Sequence, residues 1–234
     1  MATIQMQDNF DDNSIDGAKW DETDPDSVIA ESSSTLRITN PHNNDNLNDF
    51  GCNLKSDISL SSGIITVQCN LTWTDPGANE AFGGMFLYKD DNNYAYIGSR
   101  DSGNYRLVVT TGGVFRYDNN PGIAPAKDIK IEYDVSATTV KFYYWNTSVW
   151  TQMGTTQTYD LGTPLYLLFN SHDHTNFANC DVNIFDNAYL VSGDYSTQYP
   201  SATSIKKVSS VSYASIKKIS GVAIASVKKI AGVA

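Results

Sequence analysis

Phe82-Gly83-Gly84-Met85-Phe86-Leu87-Tyr88-Lys89-Asp90-Asp91-Asn92-Asn93-Tyr94-Ala95-Tyr96-Ile97-Gly98-Ser99 reads as two strands joined by a turn. Asp and Asn tolerate turn backbone and bond to it through their own side chains, so 90–93 is the reversal. Beyond it, Ala95 and Ile97 share one phase of an alternating strand, while Tyr94, Tyr96 and Arg100 share the other. The same texture extends outward through residues 63–73, 106–110, 128–135, 140–145, 164–171 and 180–190. Gly112-Gly113 and Asn119-Asn120-Pro121-Gly122 punctuate these runs. Before residue 200 no apolar i, i+3, i+4, i+7 pattern runs between helix caps. Short strands at this spacing without intervening helices predict an all-β, antiparallel sandwich or barrel.

The chain's 234 residues suffice for one large β domain and an appendage. Its apolar stretches are shorter than a membrane-spanning helix requires, so no membrane insertion is expected. Met1-Ala2-Thr3-Ile4-Gln5-Met6 has no basic region followed by an apolar run, so no signal peptide is expected and synthesis in a cytosol is. Cys69 and Cys180 fall on apolar strand phases and read as buried, inert thiols, with Cys52 left open. Residues 205–234 hold six lysines and no acid, while the rest holds ten basic against twenty-six acidic residues, a net −16. An acidic body excludes nucleic acid as its partner.

Phase also sorts the outward residues. In Val140-Lys141-Phe142-Tyr143-Tyr144-Trp145 the core phase takes Val140, Phe142 and Tyr144, leaving Lys141, Tyr143 and Trp145 outside. Lys130, Glu132 and Asp134 share a polar face. One sheet is therefore expected to expose aromatic and charged residues together. Sugars stack on such rings while polar groups fix their hydroxyls. The candidates for a glycan platform are Tyr94, Tyr96, Arg100, Glu132, Tyr143 and Trp145; Tyr166, Asn170 and His172 share the outer phase of a neighbouring strand. A subunit interface enriches the same residue types, and the tail described below tilts the reading that way.

Asp8-Asn9-Phe10-Asp11-Asp12-Asn13-Ser14-Ile15-Asp16-Gly17-Ala18-Lys19-Trp20 resembles the opening of concanavalin-A-like lectin/glucanase (laminin-G-like) domains. Residues 31–38 fit the segment that follows it loosely. Residues 86–94 resemble the family's central hairpin, and Phe185-Asp186-Asn187-Ala188-Tyr189-Leu190-Val191 its closing strand. The resemblance implies a two-sheet jelly-roll sandwich over residues 1–200. It also implies a structural calcium between the first and last strands, with Asp186 and Asp8 as ligands; a hard cation wants such oxygens. The competing reading is that Asp186 and Asn187 only cap a strand edge.

Glucanases of that family carry catalytic carboxylates on an E-x-D-x-(x)-E strand, and retaining hydrolysis needs two carboxyls about 5 Å apart. Glu132-Tyr133-Asp134-Val135-Ser136 lacks the last acid, and so does Glu22-Thr23-Asp24. Strand alternation alone puts Glu132 and Asp134 on one face, so the domain is expected to be non-catalytic. Ser171-His172-Asp173-His174 lacks a third nearby ligand and reads as a rim loop before a zinc site.

From residue 205 an 11-residue unit repeats three times: Ile205-Lys206-Lys207-Val208-Ser209-Ser210-Val211, Ile216-Lys217-Lys218-Ile219-Ser220-Gly221-Val222 and Val227-Lys228-Lys229-Ile230-Ala231-Gly232-Val233. Period 11 suits a helix, but Ile, Val, Ser and Gly are poor helix formers, so each unit reads as strand, turn, strand. Ile205, Val208, Ile216, Ile219, Val227 and Ile230 are its apolar positions. So short a segment needs a partner to bury them, which makes 201–234 an assembly tail. The repeat resembles tails of tailed-bacteriophage virion proteins. Together these features imply a non-enzymatic virion protein (capsid decoration, fibre or tail-associated), made in the host cytoplasm. Its partners would be other virion proteins, copies of itself, or a cell-surface glycan. A bacterial carbohydrate-binding module or adhesin is the alternative, and a glucanase the third.

Overall fold

The computed structural model describes residues 2–24, 27–39, 52–74, 81–99, 103–125, 127–173, 182–194, 218–219 and 222–223, and among them every regular element is a strand. The chain divides into two units, Met1–Gln198 and Tyr199–Ala234.

The first unit is two antiparallel sheets. The first sheet runs β13 (Val149–Thr158), β12 (Thr139–Asn146), β11 (Lys127–Asp134), β6 (Ile64–Thr74), β15 (Val182–Ser192), β4 (Thr35–Thr39), β3 (Ile29–Ser32), with β1 (Thr3–Asp8) also paired to β15. The second runs β10 (Val114–Asn119), β9 (Tyr105–Thr111), β8 (Asn93–Ser99), β7 (Ala81–Asp90), β14 (Leu165–Asp173), β5 (Asn53–Leu60), β2 (Trp20–Thr23). All eight runs read from the sequence are strands, with ends within two residues of those expected. The second unit contains one described pair, β16 (Lys218–Ile219) with β17 (Val222–Ala223), in which Ile219 faces Val222 in register. The rest of the tail, including Ile205, Val208, Ile216, Val227 and Ile230, lies outside the described residues.

Alternation decides what lies between the sheets. Val67, Cys69, Ile129, Ile131, Val140 and Phe142 from one sheet meet Met85, Leu87, Ala95, Ile97, Leu107 and Val109 from the other. Burial pushes the Cys69 thiol well up, so it is inert; Cys52 is also buried, and Cys180 is outside the described residues. At one end four aromatic rings close the core. Phe10 stacks on Trp20 at 5.8 Å, both reach Phe169, and Phe169 meets Phe185 at 4.4 Å. Asp8 fixes this end, its carboxylate accepting from Trp20 Nε1 at 2.7 Å and from the Phe10 N–H at 3.1 Å. The fully buried Tyr105 hydroxyl donates to the Leu71 carbonyl at 2.9 Å and accepts from the Lys127 N–H, tying the two sheets together.

Candidate functional site

The residues that alternate away from the core on the first sheet fall into rows across its strands. Pairing aligns Trp150 with Trp145, Asn70 with Asp128, and Asp186 with Asn70. Because Ile129 pairs with Tyr144, Asp128 stands in line with Trp145. The first row is thus Trp150, Trp145, Asp128, Asn70, Asp186. Two residues along, the second row is Gln152, Tyr143, Lys130, Gln68, Tyr189, and beyond it lie Lys141, Glu132, Thr66 and Val191.

Lys130 is the centre of this face. Its side chain is only 3% exposed, under the rings of Tyr143 at 4.4 Å and Trp150 at 5.1 Å. Its ammonium faces Glu132 at 3.8 Å and Asp194 at 3.9 Å, and Lys141 reaches Glu132 at 3.2 Å. Burial lowers the Lys130 pKa, and the two carboxylates only partly restore it. Burial, with Glu132 nearby, pushes Tyr143 up to about 12. Asp194 is placed by the bend at Gly193 after β15: the Gly193 N–H donates to the Ile64 carbonyl, and the Thr66 hydroxyl donates to the Gly193 carbonyl at 2.9 Å.

In the first row Trp145 and Trp150 meet edge to face at 5.3 Å, both half-buried. Asp128 accepts from the Asn70 amide at 2.8 Å. Asp186 sits at a break in register, where Asn187 takes a positive φ of 51° and donates its N–H to the Asp186 carboxylate at 2.7 Å. Burial raises the Asp186 carboxyl's pKa, and the charges of Asp128 and Asp11 raise it further. Beside Lys130 the Gln68 amide is fully buried, with neither its nitrogen nor its oxygen hydrogen-bonded.

The expected platform is therefore divided. Glu132, Tyr143, Trp145 and Asp186 share the outer face of the first sheet, whereas Tyr94 and Tyr96 lie on the opposite outer face, on β8 of the second. Nor are those two tyrosines exposed: each is 3% accessible, packed with Phe86, Val108 and Leu168 in a second apolar cluster. Tyr96 lies over Gly84 and Gly98, where a Cβ would come within 2.7 Å of its ring, and its hydroxyl donates to the Gly83 carbonyl. Side chains on neighbouring strands cover one another, which a single-strand pattern does not register. Arg100 and His174 lie outside the described residues. The acidic pair weighed for hydrolysis separates too, because Asp134 caps its own turn through Ser136 and Ala137, and these bonds lower its pKa.

Asp8 and Asp186 do not converge as calcium ligands. Asp8 points between the sheets, held by Trp20, Phe10 and Lys19 at 3.5 Å, while Asp186 sits beside Asp128 outside. Among the described residues no three His, Cys, Asp or Glu gather as a metal site. Lys130, Trp150, Asp128 and Gln68 were not singled out from sequence as site residues. Their signal is present in the phase of β11 and in the Trp145/Trp150 spacing across a hairpin, and it becomes legible only with the strand order.

Comparison with solved structures identifies the architecture. A bifunctional GH43-CE protein from Bacteroides eggerthii matches 82% of this chain with TM-score 0.60 at 16% identity, but this chain spans only 26% of it. A β-1,3-1,4-glucanase (lichenase) from a mouse hindgut metagenome matches 80% of this chain and 98% of its own, with TM-score 0.55 at 8% identity. A β-1,3-glucanase from Mycobacterium marinum matches 80% and 98%, with TM-score 0.56 at 13% identity. No family model matches the sequence, and no curated relative matches it. The fold is that of concanavalin-A-like sandwiches found in glycoside hydrolases. This corrects the expectation of a non-catalytic chain. That reading rested on an acid missing after Asp134, yet the neighbours matched over nearly their whole length, a lichenase and a β-1,3-glucanase, are enzymes.

Proposed function

We propose that this chain is a carbohydrate-active sandwich that holds a glycan along the first row of the outer face of the first sheet. The observation that carries this is the row itself: two half-buried indoles in line with two carboxyls, on a fold shared with glycoside hydrolases. Trp145 and Trp150 take the apolar faces of sugar rings. Asp128 and Asp186 stand on alternate strands, about 9.6 Å apart at the backbone and on the same side of the sheet. Asp186, raised by burial, holds a proton for the glycosidic oxygen. Asp128 takes one from the water that attacks the anomeric carbon, so the C–O bond to the leaving sugar breaks as a C–OH bond forms.

The test uses the full chain against mixed-linkage β-glucan, laminarin, xylan and mucin oligosaccharides, with binding by calorimetry and release of reducing ends in the same samples. Trp145→Ala and Trp150→Ala should each weaken binding about tenfold, in line with one stacked ring. Asp186→Asn should abolish release while sparing binding. Wild-type protein that binds no glycan, or binding indifferent to both indoles, sinks the proposal.

A second reading concerns where the domain is displayed. The 11-residue repeat, whose second copy contains β16 and β17, favours attachment to a virion or to further copies of the chain. Removing residues 201–234 should then lower the number of subunits per particle, obtained by dividing the mass in solution by the mass of the chain used; an unchanged number refutes the assembly role.

A further inference from the structure

Asp194 is placed as a substitute for something. Its side chain is 63% exposed, yet its carboxylate reaches to 3.9 Å from an ammonium that is almost wholly buried. So exposed an anion is weakly held and readily displaced. Behind it lies the unpartnered, fully buried Gln68 amide, aligned in register with Lys130 on the neighbouring strand. Cross-strand partners of this kind hold their Cβ atoms about 5 Å apart. An ammonium and, one strand over, an amide with no hydrogen-bond partner are both groups that can donate to a carboxylate. The Tyr143 and Trp150 rings flank the same spot and would take the ring that bears it.

We infer that the second row recognises a glycan bearing a carboxylate sugar, such as a hexuronic acid, and that Asp194 occupies the carboxylate's position until it binds. This rests on the glycan reading above and names the substrate class of that face. Binding moves Asp194 outward about the turn at Gly193, whose φ of 106° only glycine adopts readily.

The experiment pairs acidic oligosaccharides (oligogalacturonate and glucuronate-bearing xylo-oligosaccharides) with the same molecules after reduction of their carboxyls to alcohols. Wild-type protein should prefer the acidic member of a pair about tenfold, the worth of a hydrogen-bonded charge. Asp194→Asn should raise affinity for the acidic member about threefold, the worth of one exposed ion pair, and leave the reduced member unchanged. Lys130→Met should erase the preference; because that residue is buried, the Asp194 variant, altered at an exposed side chain, keeps the test independent of folding. Equal affinity for both members, or an Asp194→Asn protein that binds acidic sugars no better, overturns the inference. Binding confined to neutral glycans overturns it while the glycan reading stands, and no binding at all overturns both.

Discussion

Replacing Glu132 by Gln removes the buried counter-charge of Lys130 while keeping the shape of the side chain. Two charges about 4 Å apart attract by roughly 4 kcal/mol at an effective dielectric of 20, and the Lys130–Glu132 separation is 3.8 Å. The glutamine returns part of this as a neutral hydrogen bond of about 1 kcal/mol, and the carboxylate's own desolvation cost disappears. The rings and Asp194 remain around the ammonium. A net loss of about 2 kcal/mol is therefore expected, measured as the shift in urea midpoint at constant slope, with tryptophan fluorescence reporting from Trp145 and Trp150. Lys141→Met removes a partner whose side chain is 36% exposed and should cost under about 0.5 kcal/mol. Adding Lys130→Met to Glu132→Gln should recover most of the loss, since no unpaired buried charge is then left. If Glu132→Gln costs no more than Lys141→Met, Lys130 is not held as a buried charge and the account of this face is wrong.

Gly98→Ala drives a Cβ into the Tyr96 ring at 2.6 Å and onto the neighbouring backbone; a loss of about 3 kcal/mol in thermal or urea unfolding is expected. Asp8→Ala leaves the Trp20 indole N–H and the Phe10 N–H without their acceptor in a buried corner and should cost about 3 kcal/mol, with Asp8→Asn, which keeps one acceptor, costing less. Asp186 has a carboxyl raised by burial, so the folded state binds more protons there than the unfolded chain, and stability falls as pH rises from the ordinary carboxylate value through the folded one. Asp186→Asn should therefore raise the melting temperature at pH 7, with the gain vanishing towards pH 3; an equal gain at both pH values contradicts the shift.

The sandwich was legible because its motifs are the visible ends of one packing unit. Phe10 and Trp20, far from Phe185 in the chain, meet at Phe169, so the opening and closing motifs mark the same four-ring corner. Alternation likewise gave the inward phase of β8, β11 and β12 without error. Seven strands, β1 to β5, β10 and β13, were not among the runs read, and two of them at sheet edges show why. β10 is largely exposed and β13 is rich in Thr and Gln, so neither shows the apolar period that marks a half-buried strand. The site was only half legible because phase says whether a side chain faces out, and not out of which sheet. Tyr94 and Tyr143 have the same phase and stand on opposite sides of the molecule.

Strand order also supplies what no local pattern holds, the company of Lys130. Its rings come from β12 and β13, its counter-charge from β11, its amide neighbour from β6, and Asp194 from the turn after β15. A Met at 130 beside a Gln at 132 would fill the same space without desolvating an ammonium, and buried ion pairs replaced by uncharged groups are often as stable or more so. The fold thus has no need of the charge, and Gln68 left unbonded beside it adds a further cost that packing alone does not explain. Two unfavourable choices paired across adjacent strands are accounted for together when a ligand's carboxylate draws on both.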